Sequence, residues 1–147
     1  MKPLLDKDRI AALIPHAGPM CLLDAVIAWD SKTIACVASS HRSPDNPLAA
    51  DGRIEAICGV EYASQAMAVH GGLVQFGRRP AAGYLANLRD VVCSVERLDT
   101  LRGDLLVSAE LLIADGARVI YRFNLTCDDQ PILSGQAAVV IDAGPSS

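Results

Sequence analysis

Residues 54–73 read IEAICGVEYASQAMAVHGGL, and the predicted arrangement of the other elements follows from them. Apolar residues stand on nearly every side of a helix built from it, and such a helix is normally enclosed by other structure. The stretch therefore predicts a central helix that the rest of the chain wraps. One carboxylate, Glu61, lies near its middle, and Gln65 follows one turn later on the same side. Because acids are rare in such surroundings, Glu61 is a candidate functional group.

Composition limits the possible functions. The chain has 147 residues, 51% of them hydrophobic, and a formal net charge of −4. This length suits one domain, 1–147. Charge is not clustered and aromatic residues are few, so we expect no nucleic-acid partner. Without an apolar run long enough for a signal peptide or a membrane span, we expect a cytoplasmic protein with no membrane contact. Five scattered cysteines predict buried thiols and no metal site.

The amino-terminal third predicts a short helix followed by a hairpin. Asp6 can cap a helix that ends at Leu13, before Pro15. Residues 21–29 and 33–39 are apolar and compatible with strands, and residues 30–32 form the turn between them. Two prolines, an asparagine and a glycine in residues 41–53 predict an irregular loop leading to the central helix.

The carboxy-terminal half predicts four strands, at residues 84–95, 105–113, 117–126 and 132–141. In the second and third of these, the alternating apolar residues that include Ile113 and Val119 should face the core. A two-residue turn at Asp115 and Gly116 would place the two sets on opposite faces. We therefore predict a three-residue loop, 114–116, with Gly116 in the left-handed conformation.

These elements define an α+β fold. A curled antiparallel sheet of about six strands wrapped round one long helix covers both the apolar helix and one face of each strand. One helix cannot cover the whole concave face, and the sheet has free edges. We therefore expect a two-fold dimer that buries both.

Two side chains predict acid and base chemistry. His16 lies in a bend between Pro15 and Pro19, where a rigid loop can present an imidazole that titrates near neutral pH. Desolvation on the apolar helix should disfavour the charged form of Glu61, which could then give up a proton. Removing a proton beside a thioester carbonyl while protonating a hydroxyl two carbons away needs such a pair and a hydrogen-bond donor for the oxygen. The first turn of the helix can supply that donor, from Ala56 N–H or a neighbour.

His16 and several other polar residues of the chain also have structural interpretations. A single histidine in a loop is commonly a surface residue, and His70, near the helix end, can interact favourably with the helix dipole as a cation. Gln65 can satisfy a buried partner, and Tyr62 can fill space.

Two motifs carry a resemblance. Residues 13–16 read LIPH and are followed by Pro19 and by LLD at 22–24, which resembles the LLPHRxPxLLxDRV stretch of FabZ-type 3-hydroxyacyl-acyl-carrier-protein dehydratases. Residues 59–65, GVEYASQ, resemble the helical E-A-x-A-Q stretch of that family. In detail, the two motifs are most similar to those of a predicted dehydratase branch of the hotdog fold, some members of which belong to aryl polyene clusters. The resemblance implies a hotdog fold and a dimer whose site combines His16 of one chain with Glu61 of the other.

The resemblance also assigns roles. His16 would be the base that takes the C2 proton, Glu61 would help the C3 hydroxyl leave as water, and Gln65 would orient Glu61. Ala56, Gly59 and Gln65 are the expected substrate-binding residues. The arginine that follows the histidine in the family is Ala17 here. This difference would affect the shape of the acyl tunnel and the choice of carrier protein, whereas the acid and the base are retained.

The sequence therefore predicts a 3-hydroxyacyl-thioester dehydratase that forms a trans-2-enoyl product without a metal or redox cofactor. The substrate would be carried on the phosphopantetheine of an acyl carrier protein or on coenzyme A. The expected assembly is a homodimer or a dimer with a related hotdog subunit. Two alternatives stay open: a hotdog acyl thioesterase, and a non-catalytic partner subunit of a heteromeric dehydratase.

Overall fold

The computed structural model describes residues 4–14, 20–74, 83–116 and 118–141. Two α-helices lie in this part of the chain, α1 (Lys7–Leu13) and α2 (Gly59–Val74). Short 3-10 turns lie at Ser40–Arg42 and Ala56–Cys58. The strands are β1 (Ala25–Trp29), β2 (Thr33–Ala38), β3 (Gly83–Cys93), β4 (Leu105–Asp115), β5 (Arg118–Cys127) and β6 (Gln130–Ile141).

The strands form one antiparallel sheet in the order β1-β2-β4-β5-β6-β3. Helix α2 packs on the sheet through β2, β4 and β5. Its fully buried residues include Tyr62, Ala63 and Val69, which join the same apolar core as Phe123 and Leu125. This confirms the predicted α+β fold with one central helix. No helix among the described residues is long and apolar enough to cross a membrane.

The central helix begins later than predicted. Residues 54–56 pair with residues 96–98, because Leu98 N–H donates to Ile54 O (2.8 Å) and Ala56 N–H donates to Glu96 O (3.0 Å). Backbone groups that already bond to a distant segment cannot also make the hydrogen bonds of a helix. The chain therefore turns through Ala56–Cys58 before α2 starts at Gly59.

The β4–β5 connection corrects the predicted three-residue loop. Asp115 pairs with Arg118, so the connection has only two residues, although Gly116 does have a left-handed φ of 60°. A β-bulge between Leu111 and Ile113 adds one residue to β4. The apolar residues of β4 before the bulge therefore face the same side of the sheet as those of β5. Beyond the bulge, Ile113 is 53% exposed, whereas the sequence pattern placed it in the core.

The two edges of the sheet differ. Edge strand β1 is bridged by Leu5, which pairs with Val26. Among the described strands, edge strand β3 pairs only with β6, and its residues 85–90 are all exposed in the single chain. Among them are Leu85 and Leu88, and Val92 further along the strand is 56% exposed. A long apolar edge of this kind is a template for pairing with another chain.

Candidate active site

The structure describes only one of the two predicted catalytic residues. Glu61 lies in the first turn of α2 and is half-buried in the single chain. It belongs to the same partly exposed stripe of α2 as Val60, Ser64 and Ala68. His16 falls in residues 15–19, which lie outside the described residues. The pairing of His16 with Glu61 therefore stays a prediction.

Residues 21–24 lie in neither a helix nor a strand, although the sequence predicted a strand from residue 21. Four consecutive backbone carbonyls, those of residues 20–23, each accept a hydrogen bond from a side chain. Gln65 Nε2 donates to Met20 O at 2.8 Å, and Ser40 Oγ donates to Leu22 O at 2.8 Å. Lys7 Nζ donates to Cys21 O and Leu23 O at 2.7 and 2.9 Å. The strand begins only at Ala25 because these carbonyls are already bonded.

Both the oxygen and the nitrogen of the Gln65 side-chain amide bond to this segment. Its Oε1 accepts from Leu22 N–H at 2.9 Å, and the residue is only 1% exposed. The structural interpretation, that Gln65 satisfies a buried partner, is therefore correct. Its predicted roles toward Glu61 and the substrate stay predictions.

The structure corrects the identity of the predicted hydrogen-bond donor at Ala56. Because the Ala56 N–H already donates to Glu96 O, it is not available to a substrate oxygen. The neighbouring Ile57 is the second residue of the 3-10 turn, a position whose N–H has no acceptor in its own helix. The Ile57 side chain is 52% exposed. Ile57 is therefore the neighbour that best fits the predicted donor.

Gly59 lets the start of α2 approach the sheet closely. A Cβ at this position would lie 2.8 Å from Leu133 Cδ2 and 3.1 Å from Leu125 Cδ2. Both leucines are buried in the core. A contact with substrate, predicted from the motif, is not tested by this packing.

Asp99 anchors the approach to α2, a role that was not predicted from the sequence. Its Oδ1 accepts from Ile54 N–H at 2.9 Å, and its carboxylate is paired with the Arg97 guanidinium. These bonds lower the pKa of Asp99 to about 2, the hydrogen bond from Arg97 being the largest cause. No local pattern could reveal this role, because the two segments are 45 residues apart.

Tyr62 does more than fill space. Its hydroxyl lies 2.9 Å from Ser40 Oγ and 3.0 Å from Asn46 Nδ2, and the side chain is fully buried. Burial raises the pKa of this phenol. Tyr62 thus ties α2 to the loop after β2, next to the Ser40 that also holds Leu22.

His70 is a neutral buried histidine, which corrects the interpretation of a cation at the helix end. Its Nε2 lies 2.9 Å from Asp30 O, a group that can only accept, so Nε2 carries the proton. Its Nδ1 then accepts from the Tyr121 hydroxyl at 2.7 Å. Burial lowers the pKa of His70. The residue joins α2 to the β1–β2 turn and to β5.

Stability is expected to fall as the pH drops below about 6.5, the ordinary pKa of histidine. The folded pKa of His70 lies below its unfolded value, so the unfolded chain binds more protons in the interval between the two. His70→Gln should cost about 1–3 kcal/mol at pH 8, because a buried partner loses its bond. It should also flatten the pH dependence. Urea unfolding of both proteins between about pH 8 and pH 5 measures this.

A residual slope is expected in that variant, because burial also lowers the pKa of His41. An unchanged slope in His70→Gln would contradict the neutral assignment of His70.

Six antiparallel strands round one central helix are the architecture of a hotdog-fold protein. The dehydratase heterocomplex ApeI:P from Xenorhabdus doucetiae matches with a TM-score of 0.78 and 25% identity, over 94% of this chain and 91% of that chain. The chain belongs to the ApeP-like family, whose model, ApeP dehydratase, matches residues 8–144. This confirms the predicted dehydratase branch.

Two further hotdog structures are similar in fold alone. A mutant thioesterase, PA1618, from Pseudomonas aeruginosa matches with a TM-score of 0.62 and 11% identity, over 95% of this chain and 96% of that one. Thioesterase superfamily member 2 from zebra fish has a TM-score of 0.66 and 11% identity, over 92% and 95%. No curated protein matches the chain in sequence.

Proposed function

We propose that this chain is a subunit of a cytoplasmic 3-hydroxyacyl-thioester dehydratase, with His16 as the base and Glu61 as the acid. The observation that carries the proposal is the family match over residues 8–144, which includes both residues. Glu61 on the partly exposed stripe of α2 is consistent with a site facing another subunit.

The proposed reaction needs only groups of the protein. His16 takes a proton from C2 of the substrate, and that electron pair forms the C2–C3 double bond. The C3 hydroxyl leaves as water with a proton from Glu61. The Ile57 N–H would stabilise charge on the thioester oxygen. The acyl chain would be held on the phosphopantetheine arm of an acyl carrier protein or on coenzyme A, and the acid–base steps consume no redox equivalents.

The exposed edge of β3 supports a dimer. Its apolar residues would be covered if two β3 strands paired across a two-fold axis and continued the sheet. The partner would be a second copy or a related hotdog subunit. The X. doucetiae structure, which is a heterocomplex, favours the second arrangement.

The purified chain, alone and mixed with a related hotdog subunit, should be incubated with a 3-hydroxyacyl thioester. We expect absorbance from the conjugated enoyl thioester to appear in at least one of the two reactions. Release of a free thiol without enoyl product would indicate the thioesterase alternative. Turnover that needs the partner but survives loss of both His16 and Glu61 would indicate a non-catalytic subunit.

A further inference from the structure

A short antiparallel bridge between residues 54–56 and 96–98 holds the chain just before the 3-10 turn that leads into α2. Two backbone hydrogen bonds join the two segments. A further bond runs from the Ile54 N–H to a side chain, Asp99 Oδ1, at 2.9 Å. Because a pairing this short has little stability of its own, the bond to Asp99 contributes much to how firmly residues 54–56 are held.

The carboxylate of Asp99 is itself held in place by Arg97. Arg97 Nε donates to Asp99 Oδ1 at 3.1 Å, and another nitrogen of the guanidinium bonds Oδ2. The Asp99 side chain is only 14% exposed. The bonds from Arg97 and from the Ile54 N–H lower the pKa of Asp99 to about 2, so the group is ionised at neutral pH. Asp99 Oδ1 is therefore a fixed acceptor for the Ile54 N–H.

The turn after the bridge sets the direction of the Ile57 N–H. Only Glu55 and Ala56 separate Ile57 from Ile54. Ala56 is buried, and its carbonyl accepts from the Gly59 N–H at the start of α2. In a trans peptide the N–H points opposite to the carbonyl, so the Ile57 N–H is directed away from α2. The hydrogen bonds of the bridge and of the turn thus connect Asp99 to this donor without a gap.

We propose that Asp99 is a positioning residue for the Ile57 N–H. By holding Ile54 against residues 96–98, it fixes the place and direction of this donor relative to α2, the helix that carries Glu61. A donor already aimed at the oxygen stabilises developing charge without reorganising during the reaction. The catalytic part of this inference rests on the proposed function; the positional part does not.

The positional part is tested by NMR of the backbone amides in the intact protein. Asp99→Leu keeps a side chain of similar size but has no acceptor for the Ile54 N–H. We expect the Ile57 amide signal to move in this variant. The Ala56 and Leu98 amides, which donate across the bridge, should exchange with solvent at least about tenfold faster, as expected when a local bond is lost. An unmoved Ile57 signal would overturn the proposal.

Asp104→Leu is the matched control. Asp104 lies in the same connection between β3 and β4, but its carboxylate bonds Arg42 at 2.8 Å. This variant should leave the Ile57 amide signal in place. If Asp99→Leu does not fold, Asp99→Ala replaces it, because alanine removes the same bond without adding apolar volume, and Asp104→Ala is then its control.

The catalytic part is tested by the rate of dehydration. Removing a donor of this kind costs about 10²–10³-fold in kcat, and displacing it should cost less. We expect kcat of Asp99→Leu to fall about tenfold or more, with KM little changed, because the donor acts on charge that develops in the transition state. Asp104→Leu should keep the kinetics of the natural protein.

Asp99→Asn tests whether the bond to Ile54 is the cause. An asparagine oxygen can still accept from the Ile54 N–H, so this variant should recover most of the rate that Asp99→Leu loses. An Asp99→Asn variant as slow as Asp99→Leu would contradict the proposal, and so would an Asp99→Leu variant with the natural kcat. If the natural protein shows no dehydration alone or with a partner, the proposed function fails, and the amide signals still decide the positional part.

Discussion

His16→Ala is expected to lower kcat/KM for dehydration of a 3-hydroxyacyl thioester by about 10³-fold or more. A positioned general base contributes about 10²–10⁴-fold to proton transfer. The C2 proton beside a thioester is weakly acidic, so water in place of the imidazole should be a poor substitute. The measurement is the initial rate of enoyl formation at saturating and at limiting substrate, in whichever assembly is active.

His16→Gln is the companion variant, because it keeps a polar side chain of similar size without a basic nitrogen. It should be as inactive as His16→Ala. Unfolding by urea should show that both variants keep the stability of the natural protein within about 0.5 kcal/mol, as expected for a residue that the sequence predicts to lie in a loop. Enoyl formation within threefold of the natural rate in either variant would contradict the role of His16 as base.

Glu61→Gln is expected to lower kcat by about 10²–10³-fold, because an amide keeps the size of the side chain but is a poor proton donor to the leaving hydroxyl. The same rate measurement applies. Ser64→Ala is a suitable control, since Ser64 lies one turn further along the same partly exposed stripe. It should have a much smaller effect than Glu61→Gln.

The two variants together test whether the site is shared between subunits. If two copies of this chain form the active dimer, a mixed dimer of His16→Ala and Glu61→Gln chains has one complete site. Random mixing would then restore about a quarter of the natural activity, because half of the dimers are mixed and half of their sites work. No recovery from two inactive variants would contradict a site built from two copies of this chain. The mixing is then repeated with a related hotdog subunit.

The fold was largely predictable because side-chain periodicity reports directly on burial. The all-round apolar pattern of residues 54–73 led to a central helix, and α2 has that place. The cap of α1 was also predictable, and Asp6 accepts from Arg9 N–H at 3.0 Å. In β4 and β5 the predicted inward faces are correct up to Leu111. The family resemblance of two short motifs was confirmed by the family match.

Most of the errors share one physical cause, which is that hydrogen-bond partners come from distant segments. Glu96 O accepts from the Ala56 N–H, which was predicted from the sequence to donate to a substrate. The bulge between Leu111 and Ile113 restores register where a longer loop was expected. His70 is buried between Tyr121 and Asp30 O, and this burial lowers its pKa, which disfavours the predicted cation at the helix end.

The architecture and the two acid–base candidates could be predicted from the sequence, because apolar periodicity and short motifs are local properties of the chain. How the parts near the site are held could be seen only in the folded chain. Gln65 bonds the backbone 43 and 45 residues earlier, and Asp99 bonds Ile54 from 45 residues later. Such contacts depend on which segments fold together, because a buried polar group bonds whatever donor or acceptor the packing brings within reach.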